Sequence, residues 1–328
     1  MKGVIQMGVL VVMLIVGLPL VIGLSFGDGL KDYGSVSKDG LVETPSKIKV
    51  WIEEEQRTRN VSFEEYVCSV VASEMPISFE EEALKAQAIA VRTYAMSKLQ
   101  KFYEAEPADH PKAAICNTTH CQVYKSKKTL LALHINDWDE DSWEKIESVC
   151  KSTEGELLYY NGELVTEPLF FSSSGGLTEN SEDVFSGAYP YLVSVASPYE
   201  EGATHANEEK SFEVGNVETI LNNCYTDRYT GSITKANTRV LSRTSGGRVR
   251  EIRLGESIYT GTEVRSALEL SSALFYVSFT RDGNKIIFTT NGYGHGVGMS
   301  QYGANGMAKE GKTYKEILAH YYTGTEVY

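Results

Sequence analysis

One glutamate stands where a solvating carboxylate does not belong. Residues 62–97 read SFEEYVCSVVASEMPISFEEEALKAQAIAVRTYAMS. Phe63, Tyr66, Val67, Val70 and Val71 recur at the helical period and make one apolar stripe. Glu74 falls three residues beyond Val71 and continues that stripe. Pro76 disfavours helical geometry at Met75, so the spacing predicts a helix that ends at Glu74. A carboxyl among apolar side chains, at the negative end of a helix dipole, is pushed towards its protonated form. The start of a second helix acts the other way. A protonated carboxyl at neutral pH is a general acid. The alternative is a local cap, or an ion pair to Lys85 or Arg92.

Four further groups carry chemistry. Lys85 and Arg92 are seven residues apart on the second predicted helix, about 20° from eclipsed. Two cations then project from one face. His110, Cys116, His120 and Cys121 lie within a dozen residues, HPKAAICNTTHC. Two thiolates and two imidazoles suit a tetrahedral Zn²⁺ site, and four protein ligands would make it structural. The alternative is a Cys116–Cys121 disulfide. Ser172, Ser173 and Ser174 precede Gly175-Gly176, a hydroxyl-rich turn able to hydrogen-bond sugar hydroxyls, or an ordinary loop. Gly292, Gly294, Gly296 and Gly298 alternate around His295. They let one face of the segment lie flat on another backbone or a ligand. His295 is either a groove residue or a satisfied buried histidine. The offsets are not those of a dinucleotide fingerprint, and no Gly-x-Ser-x-Gly elbow supports a serine hydrolase.

The elements that position these residues follow from length and pattern. The chain has 328 residues, 42% apolar, enough for one large or two ordinary domains. Its net charge of −13 argues against nucleic acid as partner. Gly3 to Phe26 is almost wholly apolar and long enough to span a bilayer core of roughly 30 Å. We read residues 1–26 as an uncleaved transmembrane anchor and 27–45 as a tether. Lys2 on the short side places the bulk of the chain outside the cytoplasm, on a single-pass membrane protein. The expected fold is α+β: a helix-containing core from 46–203 and 289–328, with a mostly β lobe inserted at 204–288. Ser62 with Glu65, Ser78 with Glu81 and Thr313 with Glu316 predict capping boxes. Lys47–Ile52 reads as a strand, and Asn161-Gly162 as a hairpin turn.

Taken together, these segments resemble the SpoIID family of bacterial stage II sporulation proteins. The resemblance is carried by SEMPISFEEEALKAQAIAVRTYA, THCQVY at 119–124, SSSGG with TENSEDVF, YPYLVSVASP, and GYGHGVGMSQYGANGMA, in family order. It implies a lytic transglycosylase that cleaves peptidoglycan glycan strands stripped of stem peptides, between N-acetylmuramic acid and N-acetylglucosamine. The product would end in 1,6-anhydromuramic acid. The setting implied is forespore engulfment, in the intermembrane space of the sporulating cell, with an amidase and a membrane scaffold as partners. The catalytic acid maps onto Glu74. Groove residues map onto Lys85, Arg92, Tyr191 and Ser172–Ser174. Zinc ligands map onto His110, Cys116, Cys121 and, less directly, His120. Many relatives carry histidine where this chain has Phe171. A single carboxylate suits this chemistry, since glycoside hydrolases generally need two. The competing reading is a glycan-binding activator of a cell-wall amidase that does not itself cleave.

Overall fold

The computed structural model describes residues 41–110, 112–134, 138 and 140–328. In chain order, the first half comprises β1 (Lys47–Ile52), β2 (Arg57–Ser62), α1 (Phe63–Glu74), α2 (Glu81–Glu104), β3 (Ile115–Cys116), α3 (Lys127–Leu133), α4 (Glu140–Ser152), β4 (Leu158–Tyr160), β5 (Glu163–Leu164), β6 (Phe170–Phe171) and α5 (Ser181–Val184). The second half comprises β7 (Glu208–Glu213), α6 (Val214–Cys224), β8 (Thr238–Arg243), β9 (Val249–Leu254), β10 (Ser257–Thr260), α7 (Gly261–Ala267), β11 (Phe275–Phe279), β12 (Lys285–Thr290), β13 (Met299–Ser300), α8 (Gln301–Lys309), α9 (Tyr314–Tyr321) and β14 (Thr325–Val327). The class is α+β, as expected.

The buried apolar side chains form two clusters. One gathers residues between Ile48 and Tyr322 but skips the stretch from Val217 to Phe288; the other lies wholly within that stretch. The centre of the first is α2, which packs against α1, α4, α8 and α9. Its alanines, Ala83, Ala86, Ala88, Ala90 and Ala95, are fully buried and let four helices approach closely. Each large apolar side chain enclosed here, such as Leu84 or Ile89, contributes about 1.5–3 kcal/mol. The stripe of α1 is buried as its period requires, and Met75 is extended beside Pro76, which ends the helix.

Short sheets frame the helices. β1 pairs with β2 antiparallel and with β3 parallel, and β4 lies between β14 and β5. In the second cluster, β11-β12-β7 and β10-β9-β8 are antiparallel three-stranded sheets. α6 and α7 pack on each other and on β7 and β9, so the second cluster is not purely β.

The predicted anchor, residues 1–26, lies outside the described residues. Among the described residues no helix is long and apolar enough to cross a membrane. The expected single-pass membrane localisation is corrected on that finding. The end of the predicted tether is not a free linker: the Val42 N–H donates to the Tyr159 hydroxyl at 2.9 Å, and Pro45 is buried.

Two of the three predicted capping boxes do not form. Ser62 and the residue before α2 make no side-chain cap. Tertiary partners take their place. The Phe63 N–H donates to the Ser46 carbonyl, and the Asn305 side chain accepts from the Glu80 N–H. Lys145 Nζ donates to the carbonyls of Ile77 and Phe79. The third box, Thr313 with Glu316, is complete.

Candidate active site

Glu74 opens onto a cavity of about 810 Å³ between α1, α2, the segment 119–123 and the glycine-rich segment before β13. This volume suits a small ligand or a few saccharide units. The Val123 N–H donates to Glu74 Oε1 at 3.2 Å. Burial raises the Glu74 pKa above its ordinary value, opposed by that hydrogen bond and by the charge of Lys125. One other carboxylate, Glu167, lines this cavity. It is held by two ammonium groups, Lys98 at 3.0 Å and Lys101 at 2.7 Å. Among the described residues no cation lies within ion-pair distance of Glu74. The two acids thus differ: Glu167 is ion-paired to two lysines, and Glu74 is buried with its pKa raised.

The glycine-rich segment forms the opposite wall. Gly298 has φ near +80°, and a Cβ there would lie 2.0 Å from the Leu169 carbonyl oxygen. Gly296, with φ near +90°, lies against the Arg248 guanidinium. The alternation therefore serves backbone and side-chain packing. Gly298→Ala is expected to cost about 1–3 kcal/mol from backbone strain alone, plus the displaced contact. A lower urea midpoint at unchanged slope would register it.

His295 lines the cavity with both ring nitrogens occupied. Nε2 donates to the Phe170 carbonyl at 3.1 Å, and Nδ1 accepts from the Val297 N–H at 3.1 Å. Burial, with the nearby Arg265 and Arg248 charges, pushes it down to about 4. It is a neutral, satisfied histidine in the groove wall, packed between Phe171 and Phe185.

The structure separates the other predicted groove residues. Ser172 lines the Glu74 cavity. Ser173 faces a smaller cavity of about 300 Å³, and the Ser174 hydroxyl accepts from the Gly176 N–H. Tyr191 is buried behind the wall, where its hydroxyl accepts from the Glu167 N–H at 3.1 Å. Lys85 pairs with Glu82 at 2.6 Å, away from the cavity. Arg92 is fully enclosed: its fork holds both oxygens of Glu64 at 2.9 and 2.8 Å and reaches the Cys150 and Glu156 carbonyls. Both cations are thus committed to glutamates, Lys85 to Glu82 and Arg92 to Glu64, and neither lines the cavity.

Several residues were missed. Lys98, Tyr94, Gln122, Gln301, Arg265 and Tyr293 all line the cavity. Gln122 and Gln301 are buried, with side-chain Nε2 atoms that find no protein partner. Such amides are ready donors to a polar ligand. Tyr94, Gln122, Tyr293 and Gln301 sit inside the motif segments quoted above, which was the signal available for them; Lys98 and Arg265 had none.

The His/Cys cluster adjoins the cavity through His120 and Cys121. One ligand atom from each of His110, Cys116, His120 and Cys121 lies within 4.8 Å of the others. Cys121 Sγ is 3.3 Å from His110 Nε2 and 3.6 Å from His120 Nδ1; Cys116 Sγ is 3.7 Å from His120 Nδ1. A tetrahedron with Zn–S and Zn–N bonds of ordinary length has such edges at about 3.6 Å. The Ala113 carbonyl accepts from His110 Nδ1 at 2.9 Å, which leaves Nε2 free to ligate. Both cysteines are free thiols, so the disulfide alternative is not formed. Their mutual hydrogen bond pulls Cys116 down to about 4, with Cys121 keeping the shared proton. The donor set fits a soft, tetrahedral cation.

The sequence matches the family model for Stage II sporulation protein, SpoIID, over residues 52–160. It is 38% identical over 294 residues to Stage II sporulation protein D of Bacillus subtilis (strain 168), covering 89% of this chain and 82% of that protein. Identity to Stage II sporulation protein D of Bacillus amyloliquefaciens is 37% over 293 residues, 88% of this chain and 80% of the relative. A protein named amidase enhancer, from Bacillus subtilis (strain 168), is 28% identical over 302 residues, 78% of this chain and 39% of that protein. The matched family segment contains α1, α2 and the His/Cys cluster, which position Glu74. The chain belongs to the SpoIID family of sporulation proteins.

Proposed function

We propose that the chain is a lytic transglycosylase of peptidoglycan, acting on glycan strands free of stem peptides. The observation that carries this reading is the solitary state of Glu74. It faces a saccharide-sized cavity, carries a raised pKa and, among the described residues, has no cationic partner within ion-pair distance. Protonated Glu74 would give its proton to the bridging oxygen as the bond from the muramic acid C1 breaks. The resulting carboxylate would then accept the proton of the C6 hydroxyl as O6 bonds to C1. Proton and bonds balance with no water consumed, and one carboxylate serves both steps. Gln122, Gln301 and Ser172 supply polar contacts to the sugar.

The test is mass spectrometry of products from the purified protein and peptide-free glycan strands. Anhydromuramyl ends are expected. Reducing ends would instead make it a hydrolase. The amidase-enhancer relative favours one second reading, a glycan-binding activator of an amidase. Glycan binding without release, coupled to stimulation of a cell-wall amidase, would select it.

We further propose that His110, Cys116, His120 and Cys121 hold a structural Zn²⁺. All four positions of the tetrahedron would be filled by protein, which leaves none for catalysis. The ion would fix the segment 119–123 and so the Val123 N–H on Glu74. Cys116→Ser is expected to lose one equivalent of zinc by elemental analysis and to lower Tm by several degrees. Unchanged metal content would remove the site. Finally, we propose that 204–288 acts as a lobe on a core formed by 46–203 and 289–328.

A further inference from the structure

A second cavity, of about 500 Å³, adjoins that of Glu74, and His205, Arg265 and Tyr293 line both. Its remaining wall comes from the lobe, including Lys210, Ser271 and Leu270. Tyr293 is 45% exposed, and its ring lies against the His205 imidazole with centroids 4.5 Å apart. That pair offers a flat, braced platform of the kind the apolar face of a sugar ring uses.

Arg265 is the unusual member. It projects from α7, half-buried, and its Nε donates to the Leu270 carbonyl at 3.3 Å. Among the described residues no carboxylate lies within ion-pair distance of it. The buried guanidiniums of Arg92 and Arg248 each hold a glutamate, Glu64 and Glu179. Two acids share the wall of this second cavity, yet neither pairs with Arg265. Glu208 is engaged by His205 Nδ1 at 2.6 Å and by the Ser271 hydroxyl. Glu269 is exposed, and its carbonyl accepts from Lys210. A guanidinium drawn partly out of water, and given only one carbonyl, is an incomplete ion pair.

We propose that this second cavity is a subsite for a carboxylate-bearing sugar, with Arg265 pairing to the carboxylate and Tyr293 beneath the ring. The inference rests on the reading of the first cavity as a glycan site and deepens it. In a peptidoglycan strand the carboxylate is the lactyl group of muramic acid. That group is an amide while a stem peptide is attached and becomes an anion only when the peptide is removed. Arg265 thus tells a stripped strand from an unprocessed one.

The experiment compares three oligosaccharides by calorimetry with the full-length protein. They are an N-acetylglucosamine oligomer, an alternating muramic acid oligomer with free lactyl carboxylates, and the same oligomer with those carboxylates converted to primary amides. Wild type is expected to bind the free acid about 10–100-fold more tightly than the other two, the worth of one charge-assisted contact. Arg265→Gln should erase that preference while binding the neutral oligomer within about twofold of wild type, which also reports an intact fold. Arg265→Lys should keep part of it, as a point charge without the fork. Equal binding of acid and amide by wild type, or a preference that survives Arg265→Gln, overturns the assignment. Failure of wild type to bind any of the three overturns the glycan reading beneath it.

Discussion

Glu74→Gln protein is expected to fold normally and release glycan fragments about 10²–10⁴-fold more slowly than wild type, the usual worth of a positioned general acid. The amide keeps the size of the side chain and can still meet the Val123 N–H with its carbonyl oxygen. What it loses is the transferable proton. The stability readout separates this from a structural role. The folded-state pKa of Glu74 is raised by burial, so the folded protein holds that proton more tightly than the unfolded chain does. Glu74 therefore favours the fold while protonated, and this contribution is lost as pH rises from the ordinary carboxylate range through the raised value. The glutamine variant escapes that loss. Its Tm should equal wild type in acid and match or exceed it at neutral pH. Activity should likewise fall on the alkaline side as Glu74 loses its proton. A variant that is inactive but also unstable at neutral pH would make Glu74 a structural acid, and one that retains full release would end the catalytic assignment.

The second large effect is expected at Arg248. This residue precedes β9 in the lobe, yet its guanidinium is buried beside Glu179 at 3.3 Å and reaches the Ser174 and Leu177 carbonyls. Glu179 is also buried, and it accepts from the Thr244 hydroxyl and the Gly246 N–H. The pair ties the lobe to the serine turn and, through Gly296, to the wall opposite Glu74. Arg248→Ala strands a buried carboxylate and should cost about 3–5 kcal/mol. Glu179→Leu combined with Arg248→Met should cost less than the sum of the single changes, because neither charge is left alone. Chemical denaturation of the four proteins reads the coupling. Strict additivity would show that the pair is incidental to the joint.

The legible features were local. The α1 stripe, the stop at Pro76, the Thr313 cap and the hairpin at Asn161-Gly162 each depend on residues a few positions apart. The His/Cys cluster was legible for the same reason. Glu74 stood out because it continued a stripe that had to be buried. What failed needed distant partners. Ser62 and Ser78 look like caps, but Ser46 and Asn305 accept from those helix starts from elsewhere in the chain. Lys85 and Arg92 do not act together because each is taken by a glutamate from a different place, Glu82 on α2 itself and Glu64 on α1. Arg265 on α7 and Tyr293 before β13 reach one cavity from separate segments, with no local periodicity to announce them. His295 is both a groove residue and a satisfied one: it lines the cavity and its nitrogens have partners.

The packing around α2 also bears on the order of synthesis. Two of its flanking helices, α8 and α9, come from the last part of the chain. Glu80 is bonded to Asn305 across 225 positions, and Tyr314 to Glu82 across 232. These contacts close very long loops, and their entropy must be met before the packing rewards it. On the ribosome, the lobe can gather its own buried cluster while α2 still lacks two of its neighbours. A nascent chain halted before residue 300 would present a bare, alanine-lined groove, the kind of surface that chaperones and like chains recognise. The cavity of Glu74 takes part of its wall from Tyr293, His295 and Gln301, so it assembles only when nearly the whole protein has been made.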